Sequence, residues 1–266
     1  MDLISILTIV VVALYLGSTY SVSAKLFDLN GPKPKVYLTL GCLAVLGHSL
    51  LLGQTIFTRA DVDFSLINVI SLVAFIISFS VTFISIRFKA NLILPVVYTF
   101  SALLLLALIV MPANSHMAID ASNLSLVLHI TLALMAYGIL VIATLYAFQV
   151  NFINFKLKSK NLTAVNHLPP LMQVEGQLFA IMAAGTSCLI VSQLVGFIFI
   201  DGFIATENLH KTLLSIIAMI MYVVILWGHF RLGWRGHRVL ILSVVATLVL
   251  TLAYFGSRFV KEFLLT

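Results

Sequence analysis

With 266 residues, 62% of them hydrophobic and 9% charged, the chain lies far from the roughly 45–50% apolar and 25% charged make-up of a soluble globular domain. A lipid bilayer is the solvent that suits it. The formal net charge of +6 does not argue for nucleic acid, because the basic residues are scattered through the short segments between apolar runs, where they set membrane orientation instead.

Eight apolar segments, near 3–24, 36–57, 65–86, 91–111, 123–150, 177–200, 210–230 and 239–260, are each long enough to cross a hydrocarbon core of about 30 Å as a helix of about 20 residues. Helix is the sensible form for them, because backbone groups in lipid must be satisfied within the segment. The first segment ends in a cleavage-like SVSA, but it has Asp2 where a signal peptide carries basic residues, and its apolar run is long for one. It reads as a membrane helix. The second carries His48, with Ala44 and Thr55 on roughly the same face. On the third, Asn68, Ser71, Ser78, Thr82 and Ser85 fall on one face at helical spacing, with Phe75 among them. Helix-packing glue is the ordinary role of such residues in membranes, and the lining of a polar cavity is the sharper one.

The fifth segment places His129, Ala133 and Tyr137 on one face. A connection over 151–176 follows, with Lys156, Lys158 and Lys160 suited to anionic head groups and Pro169 and Pro170 stopping any helix that would run on. The seventh segment ends in LWGHFRLGWRGHRV (226–239), which gathers both tryptophans of the chain with two histidines and three arginines. Trp227, Trp234 and the arginines make an aromatic and basic anchor at a membrane boundary. The two cysteines, Cys42 and Cys188, stand alone inside apolar runs, with neither a C-x-x-C pair nor a C-x-x-C-H. They read as small buried hydrophobes.

Eleven basic residues share one side of the resulting topology: Lys25, Lys33, Lys35, Arg87, Lys89, Lys156, Lys158, Lys160, Arg231, Arg235 and Arg238. The other side has four, Arg59, Lys211, Arg258 and Lys261. The richer side is expected in the cytoplasm. The predicted fold is therefore an all-α integral membrane bundle of about eight transmembrane helices. It forms a single domain over 1–266, with both termini outside the cytoplasm.

Ionisable side chains inside a bilayer are costly, so each is a functional candidate. Three of the seven histidines, His48, His129 and His229, lie within apolar runs. His116, His167, His210 and His237 lie in loops or at helix ends, where a solvated surface is the natural reading. Counted along the helix rise, His48 lies about 13 Å and His129 about 9 Å from the outer end, while His229 is roughly 20 Å from their level. Each of the three has two readings. One is a polar group hydrogen-bonded across helices. The other is an axial ligand of haem iron, which two imidazoles from different helices can clamp from both faces. There is no phosphate-binding glycine loop, no H-E-x-x-H and no G-x-S-x-G, so no catalytic residue is assigned. No acidic residue lies in mid-membrane, which weighs against a proton-coupled transporter.

The stretch HLPPLMQVEGQLFAIMAAGTSCLIVSQLVG (167–196) resembles the one by which the cytochrome c assembly proteins, the CcsA-like haem handlers, enter their core. LLSIIAMIMYVVILWGHFRLGWRGHRVLILSVVATLVLTLAYFGSRFV (213–260) is similar to their C-terminal helix pair, including the turn Trp234–Gly236 and the run Tyr254–Gly256. LVLHITLALMAYG (126–138) matches their histidine helix, and FSLINVISLVAF (64–75) the segment after their first outer loop. The likeness covers most of the chain and is closest to a short inner-membrane branch, itself similar to the HemX-type proteins. It implies a bacterial inner-membrane location, with His129 in the place of an outward-side haem ligand and His229 in that of a transmembrane histidine near the cytoplasm. The haem-presenting members carry a tryptophan-rich outer loop before the seventh helix. Here that loop, IDGFIATENLHK (200–211), has neither tryptophan nor proline, and no second outward histidine follows the last helix. The resemblance thus implies a haem-protein scaffold that assists cytochrome c assembly or haem traffic, and not a ligase.

The expected site is one b-type haem ligated by His48 and His129 between the second and fifth helices, with His229 as a further haem contact outside that pair. The expected partners are the lipid bilayer and haem-biogenesis or cytochrome assembly proteins. The competing readings are a HemX-like regulatory membrane protein without bound haem and a small-solute or ion transporter.

Overall fold

The computed structural model describes residues 3–25, 31–56, 62–63, 66–87, 93–110, 118–119, 124–158, 170–200, 202–203, 205 and 209–256. His116, His167, Arg59, Lys89, Lys160, Pro169, Arg258 and Lys261 lie outside them. The helices are α1 (Leu3–Ser23), α2 (Pro34–Ile56), α3 (Leu66–Arg87), α4 (Ile93–Val110), α5 (Leu124–Lys158), α6 (Leu171–Phe199), α7 (Leu209–Leu232) and α8 (His237–Thr251), which runs into a π-helical turn at Leu252–Gly256. Two-residue strands β1 (Val62–Asp63) and β2 (Ala118–Ile119) pair antiparallel, Val62 with Ile119 and Asp63 with Ala118. Among the described residues, seven helices are long and apolar enough to cross a membrane. The eighth, α4, has 18 residues and a length of about 27 Å.

The largest departure from the expected spans lies around α5 and α6. Residues 151–158 were expected in a connection, but α5 continues through them to Lys158 and reaches 35 residues. α6 begins at Leu171 instead of near 177. Bilayer thickness limits how much of a helix is buried in lipid, not where its hydrogen-bond ladder ends. What sets the start of α6 is Pro170. Its backbone is extended (φ −56°, ψ 135°), and its carbonyl accepts the first bonds of the helix, from the N–H groups of Gln173 and Val174.

The chain packs as two compact units, Met1–Ile119 with Phe155–Pro169, and Asp120–Asn154 with Pro170–Thr266. In the first unit α1 packs on α2 and α4, and α3 packs on α2 and α4. Val11, Tyr15, Ala44, Ala74, Leu94 and Tyr98 form its centre. At Gly47 the α2 backbone meets the Val11 side chain, so closely that a Cβ there would lie 2.7 Å from Val11 Cγ2. In the second unit Gly185 of α6 lies against Leu140 of α5, where a Cβ would come within 2.8 Å of Leu140 Cγ. Such contacts matter because lipid supplies no hydrophobic drive between helices; small residues and interhelical hydrogen bonds hold them instead. Leu43, Leu46 and Leu50 of α2 and Phe79, Phe83 and Ile86 of α3 are exposed, as an apolar solvent permits.

Candidate functional site

His48 sits at the centre of the first unit, with none of its surface exposed. Both of its ring nitrogens are occupied: Nδ1 is 3.2 Å from the Tyr15 hydroxyl of α1 and Nε2 is 3.1 Å from the Ser71 hydroxyl of α3. Phe75 and Tyr15 meet the ring edge-on. The polar face of α3 continues this pattern toward α4, where Ser78 bonds Ser101 at 2.7 Å and Thr82 bonds the Tyr98 hydroxyl at 2.6 Å. Each of these hydroxyls is matched to one on a neighbouring helix, which is the packing role of such residues.

His129 lies in the second unit, in the second turn of α5. Its Nδ1 is 2.8 Å from the backbone carbonyl of Ser192 on α6, and the Ser192 hydroxyl in turn donates to the His129 carbonyl at 3.1 Å. A carbonyl only accepts, so the ring proton is on Nδ1 and the lone pair on Nε2. No described residue makes a hydrogen bond to that Nε2. The ring meets Phe203 edge-on at 5.4 Å, and both rings press on Gly196, where a Cβ would fall 2.9 Å from His129 Cε1.

His229 repeats the arrangement with different parts. It lies in the last turn of α7, and its Nδ1 is 3.0 Å from the Trp234 carbonyl, which again leaves the lone pair on Nε2. Phe179 of α6 stacks flat on the imidazole, with ring centroids 3.3 Å apart and planes at 12°. The cap of α7 makes this possible. Gly233 takes a left-handed conformation (φ 66°) and its N–H bonds the His229 carbonyl, while the Trp234 N–H returns to the carbonyl of Gly228. The chain therefore doubles back, and the Trp234 indole lies directly on Gly228, in the space that a Cβ would fill. Trp227 is 56% exposed, whereas Trp234 is part-buried against Gly228.

The residue after Trp234 is tied to α6. Arg235 Nε lies 3.2 Å from Glu175 Oε1, yet that buried oxygen has no partner in hydrogen-bond geometry. Glu175 and Phe179 are four residues apart and share a face of α6. One helix face thus supplies both the ring on His229 and the carboxylate beside Arg235.

The three sequence-predicted histidines therefore differ in what they keep free. His129 and His229 share one unit, and in each Nε2 has no hydrogen bond among the described residues; His48 is in the other unit with both nitrogens engaged. Ser192, Phe179 and Glu175 carried no signal that sequence reasoning used. The pattern Gly228, Gly233, Trp234 was visible and is the one that could have pointed to a folded-back cap.

The chain matches the family described as Cytochrome C assembly protein over residues 37–265. It is 36% identical to "Inner membrane protein YpjD" of Escherichia coli K12 over 250 residues, 91% of this chain and 95% of that protein. The same figures hold for YpjD of Escherichia coli O157:H7. A 28.8 kDa protein in the nifR3-like 5′ region of Azospirillum brasilense is 30% identical over 141 residues, 52% of each chain. No solved structure matches the chain.

Proposed function

The chain belongs to the cytochrome c assembly protein family, and from that premise we propose that it is a haem-handling protein of the bacterial inner membrane whose iron-binding imidazoles are His129 and His229. One observation carries the reading. In both residues a backbone carbonyl holds the Nδ1 proton and, among the described residues, leaves the Nε2 lone pair open, which is the hydrogen-bond arrangement that orients ligating histidines. A b-type haem would suit a lone imidazole, because the porphyrin itself supplies most of the iron's ligands and His129 or His229 would add a protein nitrogen. What this chain supplies is binding and orientation: each ring is fixed by a carbonyl on one side and an aromatic neighbour on the other. The inner-membrane placement leans on the name of the Escherichia coli relative. Cytochrome assembly or haem-biogenesis proteins are the partners this reading implies.

Ligation by His48 would require its Nε2 to leave Ser71. Pairing of His48 with His129, the arrangement expected from depth alone, is therefore the rival. Low-temperature electron paramagnetic resonance on haem-loaded His48→Ala, His129→Ala and His229→Ala proteins decides between them. The proposal expects the ferric-haem signal to diminish in the second and third variants and persist in the first. Loss in a folded His48→Ala protein, with the His229→Ala signal intact, would overturn it.

The same reading places Arg231, Arg235 and Arg238 on the cytoplasmic face, following the eleven-to-four distribution of basic residues. A periplasm-dependent reporter fused after Thr266 is expected to be active, and one inserted at Lys158 silent. The reverse result at both points would invert the orientation.

A further inference from the structure

The position of Arg235 is not explained by membrane anchoring. Arg231 and Arg238 are exposed at the end of α7 and the start of α8, as orienting arginines are expected to be. Arg235 is different, because α6 holds it: its Nε faces Glu175, whose side chain is only 12% exposed, while its own side chain remains 66% exposed. A guanidinium offers five N–H donors in a fixed fork, so one edge can face Glu175 while the Nη edge stays open for a second carboxylate. The contact with Glu175 is close but misaligned, and Glu175 Oε1 has no hydrogen bond. The arginine is pre-oriented without being used up.

Its place relative to His229 is fixed by the backbone. The carbonyl that orients His229 belongs to Trp234, and Arg235 is the next residue. Glu175 stands one helical turn from Phe179, whose ring lies on the imidazole. An open imidazole nitrogen and an open, held guanidinium therefore sit at the same end of the unit. Among the described residues that end carries three arginines with Glu175 as the carboxylate beside one of them, a balance that favours an anionic ligand.

We propose that Arg235 is the carboxylate-recognising residue of the His229 site, binding an acidic side arm of a planar, iron-bearing macrocycle through its Nη edge while Glu175 steadies its Nε edge. This rests on the haem-handling reading above and deepens it. The ligand it would select is an amphipathic porphyrin dicarboxylate. Charge-assisted, bidentate pairing of this kind is geometry-specific, which lysine does not reproduce.

The test uses the full chain in lipid nanodiscs, with His129→Ala as background so that only the His229 site is read. Ferric haem and its dimethyl ester, which lacks the two acid groups, are titrated separately and followed by the Soret shift. The free acid is expected to bind at least about tenfold more tightly than the ester, tenfold being about 1.4 kcal/mol. Arg235→Gln should remove that preference by weakening the free acid alone, and Arg235→Lys should restore only part of it. Arg231→Gln should keep it in full. Ester binding equal to that of the background protein serves as the check that Arg235→Gln is folded. If Arg235→Gln keeps the preference, or if Arg231→Gln loses it equally, the role of Arg235 is wrong while haem binding stands. No Soret shift with either porphyrin in any protein overturns both the role and the haem reading.

Discussion

Gly228→Val is expected to abolish haem binding at His229 while leaving binding at His129 intact, although residue 228 has no side chain. A Cβ there would occupy the space of the Trp234 indole. The ring has no easy retreat, because the Trp234 N–H is bonded to the Gly228 carbonyl and its own carbonyl holds His229 Nδ1. Overpacking of this kind typically costs about 1–3 kcal/mol. Here relief comes by moving the turn, which frees the imidazole to rotate. The measurement is the Soret spectrum of the variant with and without His129→Ala. Gly196→Val supplies the mirror experiment, since its side chain would strike Phe203 and the edge of His129. Each substitution should remove the component the other retains. Equal loss of both components in either variant would mean that the two imidazoles serve one site or that the fold has failed.

His48→Ala is expected to destabilise the protein by about 3 kcal/mol or more, the sum of a cavity and two buried hydroxyls left without partners. Tyr15→Phe and Ser71→Ala should each cost less, about 1 kcal/mol, because they remove one bond and leave the ring in place. Thermal unfolding in detergent ranks the three. If His48→Ala unfolds like the native protein but changes the haem spectrum, His48 is a ligand and not the bolt of the first unit.

Much of the fold was legible because lipid reduces the choice to helices: each of the eight apolar runs contains one. Boundaries were less so. Residues 151–158 are helical because nothing in NFINFKLK breaks a helix, whatever the thickness of the bilayer, and Pro170 marks the true restart. For the site, residue type and depth could be counted along the chain, and they picked out His48, His129 and His229. Depth is one coordinate of three. It put His48 level with His129, yet it could not say that Tyr15 and Ser71 occupy both nitrogens of one ring while Ser192 occupies a single nitrogen of the other. That depends on backbone carbonyls, whose direction no residue name encodes. The Trp234 carbonyl is the clearest case, because it reaches His229 only through the reversal at Gly233.

The length of α5 has a mechanical consequence. Its 35 residues extend about 52 Å, and fitting them wholly within a core of about 30 Å would require a tilt of about 55°, beyond the usual range of 0–40°. Part of α5 must therefore stand outside the hydrocarbon. A rod of that length is a lever: a swing of about 10° at one end moves the other by about 9 Å. His129 is near one end, and Lys156 and Lys158 are at the other. Within the second unit the ladder is continuous from Leu124 to Asn154, so a displacement at the Asn154 end is passed to the His129 imidazole without an intervening joint.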